Sequence, residues 1–299
     1  DLWNFAELGY QEDQSVDVLV NELKKEGFTV KVGVADIPTA FVAEYANGGP
    51  VIGILGEYDA LPGLAQTKSP FKEVHENETG AGQACGHHLF GAGSAWAAVV
   101  IKEWLVENNI SGTIRFYGTP AEETIFAKVW MVRAGLFDDV DVCMDWHPSD
   151  EVEAATQSSK ALVDFRLRFF GDASHASGDP WNGNSAVDAM ELYTTGLNYY
   201  REHVRPTARI HYDIEKAGDV VNVVPDFAQI WTRLRENDKE NVNILYERAK
   251  KIAEAASMMA NVDYEMELIS GIYEIIPNRF GAGIIQKNIE SLGEIKYTE

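Results

Sequence analysis

Cysteine is scarce: the 299-residue chain has two, Cys85 and Cys143. They could pair, but two thiols do not make a disulfide scaffold, and a reducing, cytoplasmic setting is the simpler expectation. Positive charge is also short. Lysine and arginine total 25 against 47 aspartates and glutamates, a formal net charge of -22. Such a chain should repel nucleic acid and anionic membranes, so neither is expected as a partner. The acidic residues are spread along the chain and read as a solvated surface, not a charged tail. No uninterrupted run of 18 apolar residues occurs, so no membrane span is expected. No signal peptide is visible; because the chain opens at Asp1, without Met and already in a helical pattern, a trimmed start is expected. There is no internal repeat, no low-complexity tract and no phosphate-binding loop. Gly91-Ala92-Gly93 lies inside a helical run with no strand directly before it, which excludes a dinucleotide fingerprint.

What is present is a large apolar fraction, 45% of residues, enough for one or two cores. Helical and strand-like stretches alternate, the signature of an α/β protein. Val16, Leu19, Val20 and Leu23 fall at helical spacing, and Gly27 is a stop. Residues 28–32 read as a strand. Residues 39–45 and 51–55 flank Asn47-Gly48-Gly49-Pro50, a hairpin signal, and the almost wholly apolar second strand should be interior. Residues 62–82 read as a loop, and 87–106 as a buried helix whose small residues permit close packing. Strands follow at 114–118 and 140–145, with a short helix at 128–134. From residue 162 the pattern changes to strand, helix, strand, strand, helix, strand, which predicts a ferredoxin-like two-layer module over 162–273. The expected domains are therefore 1–161, 162–273 and a return to the first over 274–299, with a helix at 282–292 and a strand at 294–298.

Four short motifs carry side chains that bind divalent metals. They are Glu57-Tyr58-Asp59, Cys85-Gly86-His87-His88, Glu122-Glu123 and His147. Each follows a short apolar run, where loops hold functional groups on a rigid frame. Cys85 and His87 could both bind metal from a turn leading into a helix. That helix start should favour a thiolate. Of two adjacent glutamates, one can coordinate while the other stays free as a base. His147 can add a ligand, and Asp59 or Glu57 could bridge two metals or orient an imidazole. Each motif has a plainer reading. A histidine before proline is a common turn residue, Cys85 can be a small buried side chain, and Pro120-Ala121-Glu122-Glu123 can be a solvated helix start. A thiol nucleophile at Cys85 with His87 or His88 as base is a rival, but it leaves Glu122, Glu123 and His147 without a role.

Taken together the motifs resemble the M20 metallopeptidase and amidohydrolase family. The matching stretches are residues 56–66 and 84–91, Thr119-Pro120-Ala121-Glu122-Glu123, Asn222-Val223-Val224-Pro225-Asp226, and the opening Ala6-Glu7-Leu8-Gly9-Tyr10-Gln11-Glu12, which resembles the family's first helix. The likeness extends to its aminobenzoyl-glutamate utilisation protein B group. It implies a metallopeptidase-like catalytic domain with a central mixed sheet and a ferredoxin-like lid and dimerisation domain. It implies Cys85, His87, Glu123 and His147 as ligands of one or two divalent ions, zinc or manganese. Glu122 would be the general base, Asp59 a support to the site, His175 a lid histidine that steadies substrate or oxyanion, and Asn222 a substrate contact. The implied reaction is hydrolysis of the amide of an N-acyl or N-aroyl amino acid, such as p-aminobenzoyl-glutamate, by a homodimer. Arg233 and Arg235 are candidates for a substrate carboxylate. Glu57 stands where peptidase relatives carry a ligand histidine, and His88 where broader relatives carry an acid. The family also closes its site with a histidine near its C-terminus, and no histidine follows His211. A longer natural chain is one expectation; an incomplete site is the other. The alternatives are thus a dipeptidase or exopeptidase on the same scaffold, or a non-catalytic binding protein.

Overall fold

The computed structural model describes residues 1–76, 79–124 and 126–293. The strand expected at 294–298 lies outside the described residues. Contacts divide the chain into two units, Asp1–Val152 and Glu153–Glu299. We keep the finer boundaries expected from the sequence, 1–161, 162–273 and 274–299, as a proposal alongside this division.

The first unit opens with a single turn, α1 (Leu2–Phe5), and then α2 (Asp13–Lys25). Residues 6–12, expected as part of a first helix, instead form the turn between the two. Asp13 at the start of α2 and Lys24 and Lys25 at its end complement the helix dipole. The Glu7 carboxylate caps the start, accepting from the backbone N–H of Gln14 and of Ser15, each at 2.9 Å. Five strands follow: β1 (Thr29–Val32), β2 (Phe41–Tyr45), β3 (Val51–Gly56), β4 (Thr113–Gly118) and β5 (Val142–Met144). The sheet order is β1-β2-β4-β3-β5, antiparallel on the β1–β2–β4 side and parallel around β3. The apolar β3 is interior, as its composition predicts.

The expected hairpin between β2 and β3 does not form, because β4 lies between them. The Asn47–Pro50 turn is the right chemistry for reversal, but it closes on a distant segment. The Asn47 and Pro50 carbonyls accept from the N–H groups of Gly112 and Thr113 at 3.1 and 2.9 Å. A Cβ on Gly49, whose φ is +68°, would lie 2.8 Å from the Ser111 carbonyl group. The turn is thus shaped to admit the strand that separates β2 from β3.

Helix α3 (His87–Glu107) packs on β3, β4 and α2. Its buried face holds His87, Phe90, Gly91, Ser94, Ala95, Ala98, Val99 and Leu105. The expectation of a helix buried all round fails: Leu89, Trp96, Val100 and Trp104 are each more than half exposed. Among the described residues α3 is the one helix long and apolar enough, by composition, to cross a membrane; here it is the helix that covers the first sheet. Its first turn sits very close to β3. A Cβ on Gly91 would lie 2.4 Å from the Glu57 carbonyl oxygen. A short helix, α4 (Ala127–Arg133), follows β4 and the Glu122-Glu123 turn.

The second unit has the order β6 (Ala161–Phe170), α5 (Ala186–Tyr200), β7 (Arg209–Ala217), β8 (Phe227–Glu236), α6 (Lys239–Ala260), β9 (Asp263–Ile272). Its antiparallel sheet runs β7-β8-β6-β9, the ferredoxin-like arrangement read from the element pattern. Ser185 and Asp238 cap the two helices, accepting from the N–H of Asp188 at 3.1 Å and of Asn241 at 2.8 Å. Ile230 and Leu234 of β8 alternate inward to meet Tyr193, Leu197, Leu245 and Ala249 in one core. Helix α7 (Arg279–Ser291), capped by Asn278, ends the described chain.

Candidate metal centre

The site lies at the C-terminal ends of β3 and β4 and at the start of α3. The Tyr58 ring is fully buried, its hydroxyl donating to the Thr39 carbonyl at 2.6 Å, so the neighbours Glu57 and Asp59 are held in fixed directions. Gly86, at φ +83°, turns the chain into α3 and sends Cys85 and His87 to the same side.

His87 is the centre of the cluster and is fully buried. Its Nδ1 meets Asp59 Oδ1 at 2.8 Å. The other Asp59 oxygen accepts from the Glu123 N–H at 3.0 Å, so one buried carboxylate fixes both the imidazole and the glutamate turn. With Nδ1 committed, His87 Nε2 faces the carboxylates: Glu57 Oε2 at 2.9 Å, Glu122 Oε2 at 3.9 Å and Glu123 Oε1 at 3.9 Å. Cys85 Sγ and His147 Nε2 lie 3.4 Å apart, and the His147 Nδ1 bonds the Pro148 carbonyl at 2.9 Å, leaving Nε2 as its free donor atom. Ligand atoms of Cys85, His87 and His147 fall within 4.8 Å of one another, as do those of Glu57, His87 and Glu122.

Electrostatics follow from the crowding. Burial works to lower the basicity of His87, but hydrogen bonds and charge from Asp59 and Glu57 push it up to about 10. Burial tends to raise Glu57, yet His87 and Lys128 outweigh it and hold its carboxyl at about 2. Glu122 is raised by burial and by Glu57, partly offset by Lys128. The expectation of a favoured thiolate at Cys85 is corrected. Burial, then the charges of Glu123, Glu122 and Glu57, push this thiol up to about 12, so nearby carboxylates outweigh the helix terminus. A thiol held neutral also argues against the rival nucleophile reading.

The donor set fits a divalent cation. Buried His87 Nε2, Glu57 Oε2 and Glu123 Oε1 find no hydrogen-bond partner among the described residues, though all three face the same cluster. Imidazole, thiol and carboxylate atoms drawn together without donors are what a zinc- or manganese-type ion satisfies.

The structure thus brings together Asp59, Cys85, His87, Glu122, Glu123 and His147. His175 and Asn222 lie in the second unit, on neighbouring loops joined by the Ala176 N–H to Asn222 carbonyl bond at 3.0 Å. The His175 Nδ1 accepts from Gly178 N–H at 3.0 Å, so the neutral ring carries its proton on Nε2 and presents a donor. Arg233 is engaged by the buried Asp164 and stacks on Trp231, with 5.5 Å from guanidinium to ring centroid. Arg235 has no ion pair among the described residues, and its guanidinium is made less basic by burial and by Arg233. His88 packs edge-on to Trp3 at 5.1 Å and donates its N–H to Gln83 at 3.0 Å, away from the cluster of ligand atoms. Cys143 is unpaired, so the two cysteines form no disulfide.

Sequence reading missed two participants. Lys128, counted as an ordinary helix residue, is ion-paired to Glu57. Glu12, counted as a helix residue, is buried and bonded to the Ala121 N–H at 2.8 Å. A charged residue inside an otherwise apolar short helix was the available signal for Lys128.

Comparison with known proteins agrees with this geometry. The chain is 38% identical over 279 residues to one of the two chain types of the p-aminobenzoyl-glutamate hydrolase of Escherichia coli, covering 93% of this chain and 58% of that protein. It is 30% identical over 306 residues to the Xaa-Arg dipeptidase of Mus musculus, covering 98% of this chain and 67% of the mouse protein. Its fold matches the crystal structure of an aminobenzoyl-glutamate utilization protein from Klebsiella pneumoniae, with a TM-score of 0.72 at 20% identity over 94% of this chain and 76% of that one. A dinuclear metal-binding peptidase of Bacillus subtilis matches with a TM-score of 0.65 at 22% identity, over 98% and 78% of the two chains. At those identities the structural likeness speaks to the fold. The model of peptidase family M20/M25/M40 matches residues 53–290, a span that holds both sheets and every ligand candidate, and the chain belongs to that family.

Proposed function

We propose that this chain is the metal-binding part of an amidohydrolase that cleaves the amide of an N-acyl or N-aroyl amino acid. The observation that carries the reading is the convergence of unpartnered buried atoms from His87, Glu57 and Glu123 beside the Cys85–His147 pair. Cys85, His87, Glu123 and His147 would hold the ion, with Glu57 positioned to engage a second one. When bound, a divalent ion supplies Lewis acidity toward a carbonyl and makes water nucleophilic near neutral pH.

The protein's own groups do the rest. Asp59 locks the His87 tautomer and the Glu123 backbone. Glu122 is the general base. Burial and Glu57 raise its carboxyl toward the working pH, so it can take a proton from the attacking water and hand it to the leaving amine. His175 donates from Nε2 to the developing oxyanion, Asn222 contacts substrate, and Arg235 takes its carboxylate. The p-aminobenzoyl-glutamate substrate is suggested by the Escherichia coli relative, and a dipeptide by the Mus musculus relative, which the chain matches over 98% of its own length. We extend the proposal to a homodimer through the second unit, where β7 and β9 are open sheet edges. The reading includes a cytoplasmic location.

The test is metal analysis with amidase assays, on this chain and on the full-length gene product. The panel holds p-aminobenzoyl-glutamate, N-acyl amino acids and Xaa-Arg dipeptides. Bound metal together with turnover on acyl amino acids supports the amidohydrolase. Turnover on dipeptides alone moves the assignment to dipeptidase. Metal without turnover on either chain leaves a binding protein.

A further inference from the structure

We propose that Glu12 is a positioning residue for the site, holding the turn that carries Glu122 and Glu123 through the Ala121 N–H. The inference rests on the hydrolase reading for its kinetic consequences, but its geometry stands independently.

Glu12 has 0% of its surface exposed. One carboxylate oxygen accepts from the Ala121 N–H at 2.8 Å, and the other makes no hydrogen bond among the described residues. Burying a carboxylate for one hydrogen bond is unfavourable unless that bond fixes something. What it fixes is an unusual backbone. Ala121 is itself fully buried and sits at φ +54°, a left-handed conformation that a residue with a Cβ adopts only when its surroundings impose it. The next two residues are the candidate base and a candidate ligand. An Ala121 relaxed to ordinary φ would swing both carboxylates away from His87.

Glu12 does not act alone. Gly9 lies against the same turn, where a Cβ would come within 3.0 Å of Ala121 Cα and 2.8 Å of Thr124 Oγ1. The Glu7 carbonyl accepts from the Ala60 N–H at 2.8 Å, next to Asp59. Residues 7–12 therefore touch both loops that bear site carboxylates, and Glu12 is the bond that reaches the second one.

The test compares Glu12→Ala with Glu12→Gln, which keeps an acceptor oxygen in the same place. Folding is checked by circular dichroism and thermal unfolding. Three quantities are read: exchange of the Ala121 amide in the metal-free protein, affinity for Zn²⁺ and Mn²⁺ by calorimetry, and kcat and KM on the best substrate. In Glu12→Ala the amide should exchange at least about tenfold faster, and metal affinity should fall about 10- to 100-fold. The kcat should fall with KM held within about threefold. Glu12→Gln should restore all three to within about threefold of the parent. If Glu12→Ala does not fold, Glu12→Asp carries the comparison, because it keeps the charge but shortens the reach by one methylene.

A folded Glu12→Ala protein with unchanged Ala121 exchange and metal affinity overturns the proposal. So does a Glu12→Gln protein as impaired as Glu12→Ala. A parent protein that hydrolyses nothing, but whose amide exchange and metal affinity respond as stated, overturns the hydrolase reading and leaves the positioning role intact.

Discussion

The two units bury carboxylates in opposite ways. In the second, fully buried Asp164 accepts from the Trp231 indole at 3.0 Å and from Arg233 Nε at 2.8 Å, and the same arginine stacks on Trp231. Its charge is matched and both its oxygens are bonded. In the first, Glu57, Asp59, Glu122 and Glu123 gather around His87 with Lys128 at one side, and several buried atoms stay unpartnered. A buried charge with its full set of partners is part of the framework. A crowd of like charges with unfilled bonds is a place for a cation.

That contrast can be broken at several points. The largest effect is expected from Glu122→Gln, which should lower kcat by about 10²- to 10⁴-fold while the protein keeps its metal. Turnover and metal content are measured on one sample; losing both together would make Glu122 a ligand like its neighbours. Asp164→Ala should cost about 3–5 kcal/mol in urea unfolding, because it strands Arg233. A cost below about 1 kcal/mol would remove the framework role of Asp164. Zinc or manganese at a hundred times its Kd should raise stability by about 2.7 kcal/mol, and a chelator should reverse the gain. An unfolding transition indifferent to metal would leave the carboxylate crowd unexplained.

The pH dependence of the metal-free protein sharpens the contrast further. Burial pushes Glu12 up to about 7 from an ordinary 4.5, so the folded state holds this proton more tightly than the unfolded one. The stability it contributes is complete below pH 4.5 and is lost as pH rises through 7. Relative to Glu12→Gln, the parent should therefore lose on the order of 2 kcal/mol between about pH 4.5 and about pH 8. Parallel stability curves for the two proteins would show that Glu12 does not titrate in this range. The smallest effect is expected from Glu123→Gln without metal. Removing one of several crowded carboxylates should leave stability within about 0.5 kcal/mol of the parent, or slightly above it. A loss as large as that of Asp164→Ala would erase the difference between the units.

Much of this was legible in the chain. Ligand-type residues after apolar strands marked the cluster, since Asp59, Cys85 and Glu122 each sit within a few residues of a strand end or helix start. The six-element order of the second unit was legible because each element there carries its own periodicity and caps, as at Ser185 and Asp238. What stayed hidden was non-local. The turn at Gly48 and Gly49 has the same composition whether its flanking strands pair or admit a third, and the decision rests with residues 112 and 113. The outer face of α3 looked like core because Trp96, Val100 and Trp104 are apolar, and composition does not say which face meets the sheet. The rise of the Cys85 thiol depends on carboxylates that meet it only after folding. Glu12 was invisible as a site residue because its partner lies 109 positions away.

Gly91 gives the site its tolerance. The helix that carries His87 approaches β3 until the Gly91 backbone lies against the Glu57 carbonyl, a gap that even a methyl group would overfill. The spacing between imidazole and carboxylates is therefore set by a contact stop: backbone meets backbone, and the side chains inherit the gap that results. Such a stop has no rotamers and does not drift with charge state, so the metal pocket can gain or lose its ion and protons without changing its width. In engineering terms, the adjustable parts of the centre are mounted on a shim one hydrogen atom thick.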